Sequence, residues 1–190
     1  TDLKAQTKEV IGTCVSMRVK VDGLWPKEAL EVITRALPMP GIIGRVIEMH
    51  AAYYSTAVNF GAPFEAKVAA GLANFIPRLE NPTNNIWCAV QNDQIIGSIS
   101  IDSEDLGDGN AHLRWFIMDE RAQGTGLGKH LLQKALDFCD TQAFPETHLW
   151  TFQGLNAARH LYETHGFTLT NEYKGDQWGA EVTEQVFVRE

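Results

Sequence analysis

Apolar residues recur at every third or fourth position in some stretches of the chain and crowd into short β-branched and aromatic runs in others, which predicts a mixed α/β protein. The run LEVITRAL at 30–37 is rich in strand formers and is closed by Pro38 and Pro40, so it reads as the first core strand. Val46, Ile47, His50, Tyr54 and Ala57 then follow at helical spacing and form one apolar stripe. Pro63 suits a first helical turn, and Val68, Leu72 and Phe75 carry a second helix to about Leu79. Ile86 to Val90 and Gln94 to Ile101 predict an antiparallel hairpin turning at Asn92-Asp93. A polar loop, Ser103 to Asn110, leads to a third strand, His112 to Met118.

A helix then begins inside a glycine cluster and places Leu127, Leu131, Leu132, Ala135, Leu136 and Cys139 on one face. After Pro145 come a short strand, Thr147 to Phe152, and a helix, Asn156 to His165, closed by Gly166 in the left-handed C-terminal position. Phe167 to Tyr173 and Val182 to Arg189 complete the order β-α-α-β-β-β-α-β-α-β-β. Residues 1–30 fit no single element, because Ile11 to Val21 reads equally as an extended run or a short helix before a break at Gly23 to Pro26. Neither a repeat nor a long linker divides the rest. The expected organisation is an N-terminal extension, 1–30, and one domain, 31–190.

Composition narrows the function classes. A chain of 190 residues, 44% hydrophobic, can bury a core without disulfides or metals. A net charge of −8 leaves no basic surplus for nucleic acid or anionic lipid, so neither partner is expected. Cys14, Cys88 and Cys139 are odd in number and far apart, which predicts neither a disulfide framework nor a zinc site and makes a reducing cytoplasm the expected location. No basic leader and no run of ~18 apolar residues is present, which predicts a soluble protein. The six histidines show no HExxH spacing, and no metal is expected.

The chemistry concentrates at Gln123-Gly124-Thr125-Gly126-Leu127-Gly128. A strand that runs through a glycine-rich loop into a helix start offers backbone N–H groups and the positive end of a helix dipole to an anion such as a diphosphate. The same glycines would serve a turn that only packs helix on strand. Lys129 stands where GxGxxG needs glycine, and His130 stands where a Walker loop needs Ser or Thr, so neither nucleotide pattern is met.

The spacing of Gln123, Gly126 and Gly128 after the strand LRWFIMD resembles the Q/R-x-x-G-x-G/A motif of the GNAT acetyltransferases. Asn156 to Phe167 is similar to a second motif of that superfamily, N-x-x-A-x-x-L-Y-x-x-x-G-F. The resemblance covers about Glu31 to Arg189. It implies a single-domain α/β (α+β) fold with a mixed, mostly antiparallel sheet flanked by helices and a splayed parallel strand pair that binds acyl-CoA. The similarity extends to a bacterial subgroup sometimes fused to MarR-type regulators, although thirty N-terminal residues are too few for a winged helix.

By this resemblance the N–H groups of Gln123, Gly124, Thr125, Gly126, Leu127 and Gly128 hold the pyrophosphate of acetyl-CoA, with charge from Lys129. Ile117 and Met118 meet the pantetheine in the strand gap, and Asn156 matches a position that contacts pantetheine or nearby backbone. Tyr162 matches the tyrosine that protonates the departing thiolate, although it also fits an inward stripe with Leu155, Ala158, Leu161 and His165. The activity implied is acetyl transfer to a primary amine by direct attack on the thioester, with a non-catalytic acyl-CoA sensor as the alternative.

For the base that deprotonates the amine, His112 has the best intrinsic chemistry, while Arg114 on the same face would lower its pKa. Glu48, His50, Glu104 and Asp105 are alternatives. Tyr53, Tyr54, Phe60, Trp150, Phe152 and Trp178 are candidates for an aromatic acceptor wall, where a cation–π contact could attract the amine. The acceptor is a small-molecule or peptide amine, and a homodimer stays open as an assembly.

Overall fold

The computed structural model describes residues 32–33, 40–91 and 93–190. The expected extension 1–30 and Cys14 lie outside the described residues. Among the described residues seven strands form one sheet in the order β1-β2-β3-β4-β5-β7-β6. They are β1 (Val32–Ile33), β2 (Asn85–Gln91), β3 (Gln94–Asp102), β4 (Ala111–Met118), β5 (Thr147–Phe152), β6 (Thr168–Gly175) and β7 (Val182–Arg189). Among the described residues four α-helices flank the sheet: α1 (Ile42–Val58), α2 (Ala62–Phe75), α3 (Leu127–Gln142) and α4 (Asn156–Glu163).

Two boundaries move for local reasons. The strand expected at 30–37 is described only at Val32–Ile33, where it pairs antiparallel with β2 at the margin of the sheet. The helix expected to reach Leu79 stays α-helical only to Phe75 and tightens into a 3-10 turn over Ile76–Glu80. Pro77 explains this, because it has no N–H to continue the α-helical ladder. Asp93 turns the β2–β3 hairpin with φ 61°, and Gly166 closes the segment after α4 with φ 88°.

The core divides between the two faces of the sheet. On one face, Leu131, Leu132, Ala135 and Leu136 of α3 pack with Leu113, Leu149, Phe187 and Tyr162. On the other, Val46 of α1 and Leu72 and Phe75 of α2 cover Ile86, Cys88, Trp115 and Ile117. Leu72 and Phe75 are fully buried, each contributing roughly 1.5–3 kcal/mol of transfer free energy. Among the described residues no helix is long and apolar enough to cross a membrane.

One irregularity positions the site. Ser98 lies opposite Ile117 and Ser100 opposite Arg114, so β4 carries one residue more than β3 between these pairs, a β-bulge. Trp115, inside the bulge, has φ 48°. The alternation changes phase there: Ala111 and Leu113 face α3, whereas Trp115 and Ile117 face α1 and α2. Regular alternation would have kept Leu113, Trp115 and Ile117 on one face. Just before the bulge β4 also leaves its parallel neighbour, since β4 and β5 pair only at Ala111↔Thr147 and His112↔His148.

Candidate active site

The β4–β5 gap opens into a cavity of about 780 Å³, lined from β4 by Leu113 to Met118 and from β5 by Leu149 to Phe152. Small-molecule sites have this size and this mixture of apolar wall and a few polar groups.

The glycine loop forms one end of the cavity. Asp119 accepts hydrogen bonds from the Arg121 backbone N–H (3.0 Å) and from its guanidinium (2.9 Å), and it also pairs with Arg45. Arg45 donates to the Ile95 carbonyl (2.9 Å), and the Asp119 N–H donates to the Ile96 carbonyl (2.8 Å). The hydrogen bond from the Arg121 side chain, joined by its backbone N–H and by Arg45 and opposed by burial, holds the Asp119 carboxyl well below the usual carboxylate range. These contacts tie α1, β3 and the entry to the loop together.

Within the loop, Gly126 is the N-cap of α3 at φ 87°, a conformation a side chain would strain. No side chain caps this sixteen-residue helix; only a long contact, 3.4 Å, links the Leu127 N–H to Thr125 Oγ1. Its first-turn amides therefore have no side-chain cap, and with the helix dipole behind them they suit an anion. Gln123, Gly124, Gly126, Gly128 and Lys129 line the cavity. Thr125 and Leu127 do not: Thr125 donates to the Ala122 carbonyl (2.6 Å), and Leu127 is buried in the α3 core. Gly128 has a packing role as well, since a Cβ there would lie 3.4 Å from Met118 Cγ. Ile117 and Met118 line the cavity, while Asn156 is exposed and outside it, between Leu155 and Ala157, which do line it.

Tyr162 lines the cavity from α4, with its ring 6.2 Å from Phe116 and 6.0 Å from Phe167. Burial pushes its phenol pKa far above the usual value, so the hydroxyl keeps its proton.

His112 and Asp105, separate alternatives for the base in the sequence, are brought together. His112 Nδ1 lies 2.6 Å from Asp105 Oδ2, and the ring meets Trp150 edge-on at 4.7 Å. Arg114 holds the other Asp105 oxygen at 2.9 Å. The His112 hydrogen bond, aided by the Arg114 charge and opposed by burial, lowers Asp105 to about 2. Burial lowers the pKa of His112, outweighing the hydrogen bond to Asp105, and Arg114 lowers it further. At neutral pH the imidazole is neutral and Nδ1 donates to Asp105, which leaves a lone pair on Nε2.

The remaining base candidates separate by position. His50 lines the cavity, with Nδ1 donating to the Val46 carbonyl (2.8 Å), and burial lowers its pKa to about 4. Glu48 is exposed and paired with Arg45 at 2.9 Å, and Glu104 binds Arg78 and Asn84; neither lines the cavity. Of the aromatic candidates, Tyr53, Tyr54, Trp150, Phe152 and Trp178 line it, and Phe60 is buried behind them, 5.4 Å from Phe152. Burial pushes the Cys88 thiol up to about 12 and the Cys139 thiol to about 11, so both are inert packing residues. Among the described residues no group of three or more His, Cys, Asp or Glu is arranged to hold a metal ion.

Other residues of the site carry no local sequence signal. Arg78 makes a bidentate pair with the fully buried Asp102 (2.6 and 2.7 Å), and Asp102 in turn reaches Arg114 at 3.3 Å. Lys67, on α2, lines the cavity and donates to Gln177 in the β6–β7 loop.

With this geometry in place, the relationship to known proteins is direct: the chain belongs to the acetyltransferase (GNAT) family, whose model matches residues 46–167. Its fold is similar to that of an acetyltransferase from Streptococcus agalactiae, with 18% identity and a TM-score of 0.64 over 84% of this chain and 96% of that one. It is similar to ribosomal-protein-alanine N-acetyltransferase from Brucella melitensis, with 13% identity and a TM-score of 0.65 over 82% and 96%. It is also similar to a GNAT family acetyltransferase from Elizabethkingia anophelis with acetyl-CoA bound, with 17% identity and a TM-score of 0.50 over 64% and 82%. A stretch of 29 residues, 15% of the chain, is 69% identical to the large ribosomal subunit protein uL11 of Methanoregula boonei. The chain spans only 18% of the length of that curated relative.

Proposed function

We propose that this protein transfers the acetyl group of acetyl-CoA to a primary amine by direct attack, with His112 as base and Tyr162 as acid. The observation that carries this reading is one cavity that joins an uncapped helix N-terminus, an unpaired strand edge and a neutral histidine oriented by a carboxylate. The acetyl-CoA complex of the Elizabethkingia anophelis relative supports the choice of donor.

The amides of Gln123 to Gly128 suit a diphosphate, and Lys129 adds charge beside them. Ile117 and Met118 offer backbone groups on the open edge of β4. Acetyl-CoA, when bound, supplies a thioester carbonyl. As the amine nitrogen bonds to that carbon, His112 accepts a proton at Nε2 and Asp105 stabilises the resulting imidazolium. Tyr162 donates its phenolic proton to the sulfur as the C–S bond breaks. Amide and free thiol are the products, and no covalent enzyme intermediate is required.

Thiol release with acetyl-CoA and a panel of amines tests the assignment. Removing a general acid or base removes about 10²–10⁴-fold of rate. His112→Ala and Tyr162→Phe are each expected to lower kcat by at least about 10²-fold while acetyl-CoA still binds in calorimetry. Binding of acetyl-CoA without thiol release from any amine would favour a sensor, and wild-type rates in both variants would remove the two roles.

A further inference from the structure

The acceptor half of the cavity is roofed by the loop between β6 and β7, which folds back onto α2. Lys67 Nζ donates to the Gln177 carbonyl (2.8 Å) and to its side-chain oxygen (3.2 Å). A Cβ on Gly179 would lie 2.8 Å from Pro63 at the start of α2, and the Trp178 ring sits 5.5 Å from Phe152. The orientation of Gln177 is fixed from behind. Its amide nitrogen and its backbone N–H both donate to Glu184, which is 1% exposed, so the amide oxygen is left to face Lys67.

Charge in the cavity is one-sided. The only carboxylate among its described lining residues is Asp105, already bound by His112 and Arg114. Arg114 is balanced by Asp102 and Asp105, and Lys129 lies beside the glycine loop. Lys67 is different: its partners are neutral oxygens, and it forms no ion pair among the described residues. A polyamine or other multiply cationic acceptor would bring like charge to this ammonium, while the one lining carboxylate, Asp105, is already engaged by His112 and Arg114. An acceptor carrying an anion would gain a charge-assisted hydrogen bond instead. Tyr53, Tyr54, Phe152 and Trp178 surround the same space with apolar surface.

We propose that Lys67 is a specificity-determining residue that binds the acidic group of the acceptor, and that the acceptor is a small amino-acid-like molecule: a primary amine and a carboxylate on an apolar or aromatic body. This rests on the acetyl-transfer reading of the same cavity. Glu184 and Gln177 act through Lys67, holding its ammonium at the roof.

The test is thiol release from acetyl-CoA with phenylalanine, methionine and leucine, each beside its amide and its decarboxylated amine, together with spermidine and an alanine-initiated peptide. For wild type, the acids should exceed their amides and amines in kcat/KM by about tenfold or more, the lower end of a hydrogen bond to a charged group at an exposed lysine. In Lys67→Met that ratio should fall toward one, with the loss carried in KM, and Lys67→Arg should restore part of it. The proposal is overturned if wild type prefers spermidine, the peptide or the partners lacking the carboxylate, or if Lys67→Met keeps the ratio. Thiol release from none of these amines, with other amines of a wider panel still turned over, also overturns the proposal, whereas release from no amine at all while acetyl-CoA binds would fail the acetyl-transfer reading instead.

Discussion

His50 should make the fold acid-sensitive above the range in which carboxylates titrate. The imidazole lies on α1 with ring centroids of Tyr54 and Phe64 at 6.0 and 6.4 Å, and it is 6% exposed. Burial depresses its pKa to about 4 from the ordinary 6.5, and the hydrogen bond to Val46 opposes this only in part. In the unfolded chain His50 takes up its proton near pH 6.5, whereas in the folded chain it does so only near 4. Between these values the unfolded state binds more protons, so stability rises with pH; it is complete above 6.5 and is lost as pH falls toward 4. At 1.36 kcal/mol per pH unit the difference amounts to roughly 3 kcal/mol, against a total of about 5–15 kcal/mol for a typical domain.

Urea unfolding of wild type and His50→Gln between pH 7.5 and 4 isolates this contribution. His112, also lowered, acts in the same direction in both proteins, and the depressed pKa values of Asp102, Asp105 and Asp119 take effect at lower pH. Wild type should lose roughly 3 kcal/mol more than the variant across the window. Parallel curves, within about 1 kcal/mol, would refute the reasoning by showing that His50 is not sealed from solvent in its neutral form.

Two further perturbations probe the supports of the site. Arg78→Met leaves the Asp102 carboxylate with Arg114 at 3.3 Å and two backbone amides, so it should cost about 3–5 kcal/mol in denaturant unfolding; adding Asp102→Asn should recover much of this, and a double variant no more stable than the single one would exclude a stranded charge as the cause. Asp119→Asn weakens the pairing with Arg45 and Arg121 at the entry to the glycine loop, so KM for acetyl-CoA should rise about tenfold with kcat nearly unchanged; an equal fall in kcat would place the residue in the chemistry instead.

Strand and helix order was legible because each element of 42–190 has its own local pattern, and Thr147–Phe152 and Val182–Arg189 coincide with their apolar runs. The glycine loop was legible for the same reason, since its signal lies in six consecutive residues. Contacts between distant residues were not. Arg78 and Asp102 are 24 positions apart, and Lys67 and Gln177 are 110 apart, so neither pair leaves a spacing that can be read along the chain. Asp105 and His112 were both visible as ionisable groups, but their union depends on how the β3–β4 loop folds back over β4. The phase change in β4 was hidden too, because a bulge exists only relative to the strand opposite.

That bulge is where fold and chemistry meet. A tryptophan at φ 48° stores strain of order 1–3 kcal/mol, and it persists because its surroundings over-determine it. Ser98 Oγ donates to the Trp115 carbonyl (2.9 Å), Phe75 packs at 5.2 Å, and the Arg114 guanidinium lies 4.2 Å over the indole. The extra residue lets Arg114 and Trp115, neighbours in sequence, both reach α2 near Gly71, which keeps His112 and Arg114 on the acceptor face. The following residues are turned the other way: Phe116 meets Tyr162 at 6.2 Å, and Met118 packs beside Gly128. Pairing with β5 ends just before the bulge, leaving the strand edge open between the two groups. A regular β4 would have kept either His112 or the glycine loop and Tyr162 in register with the cavity, but not both. The strain at Trp115 is therefore the cost of bringing His112 and Tyr162 to opposite sides of one gap.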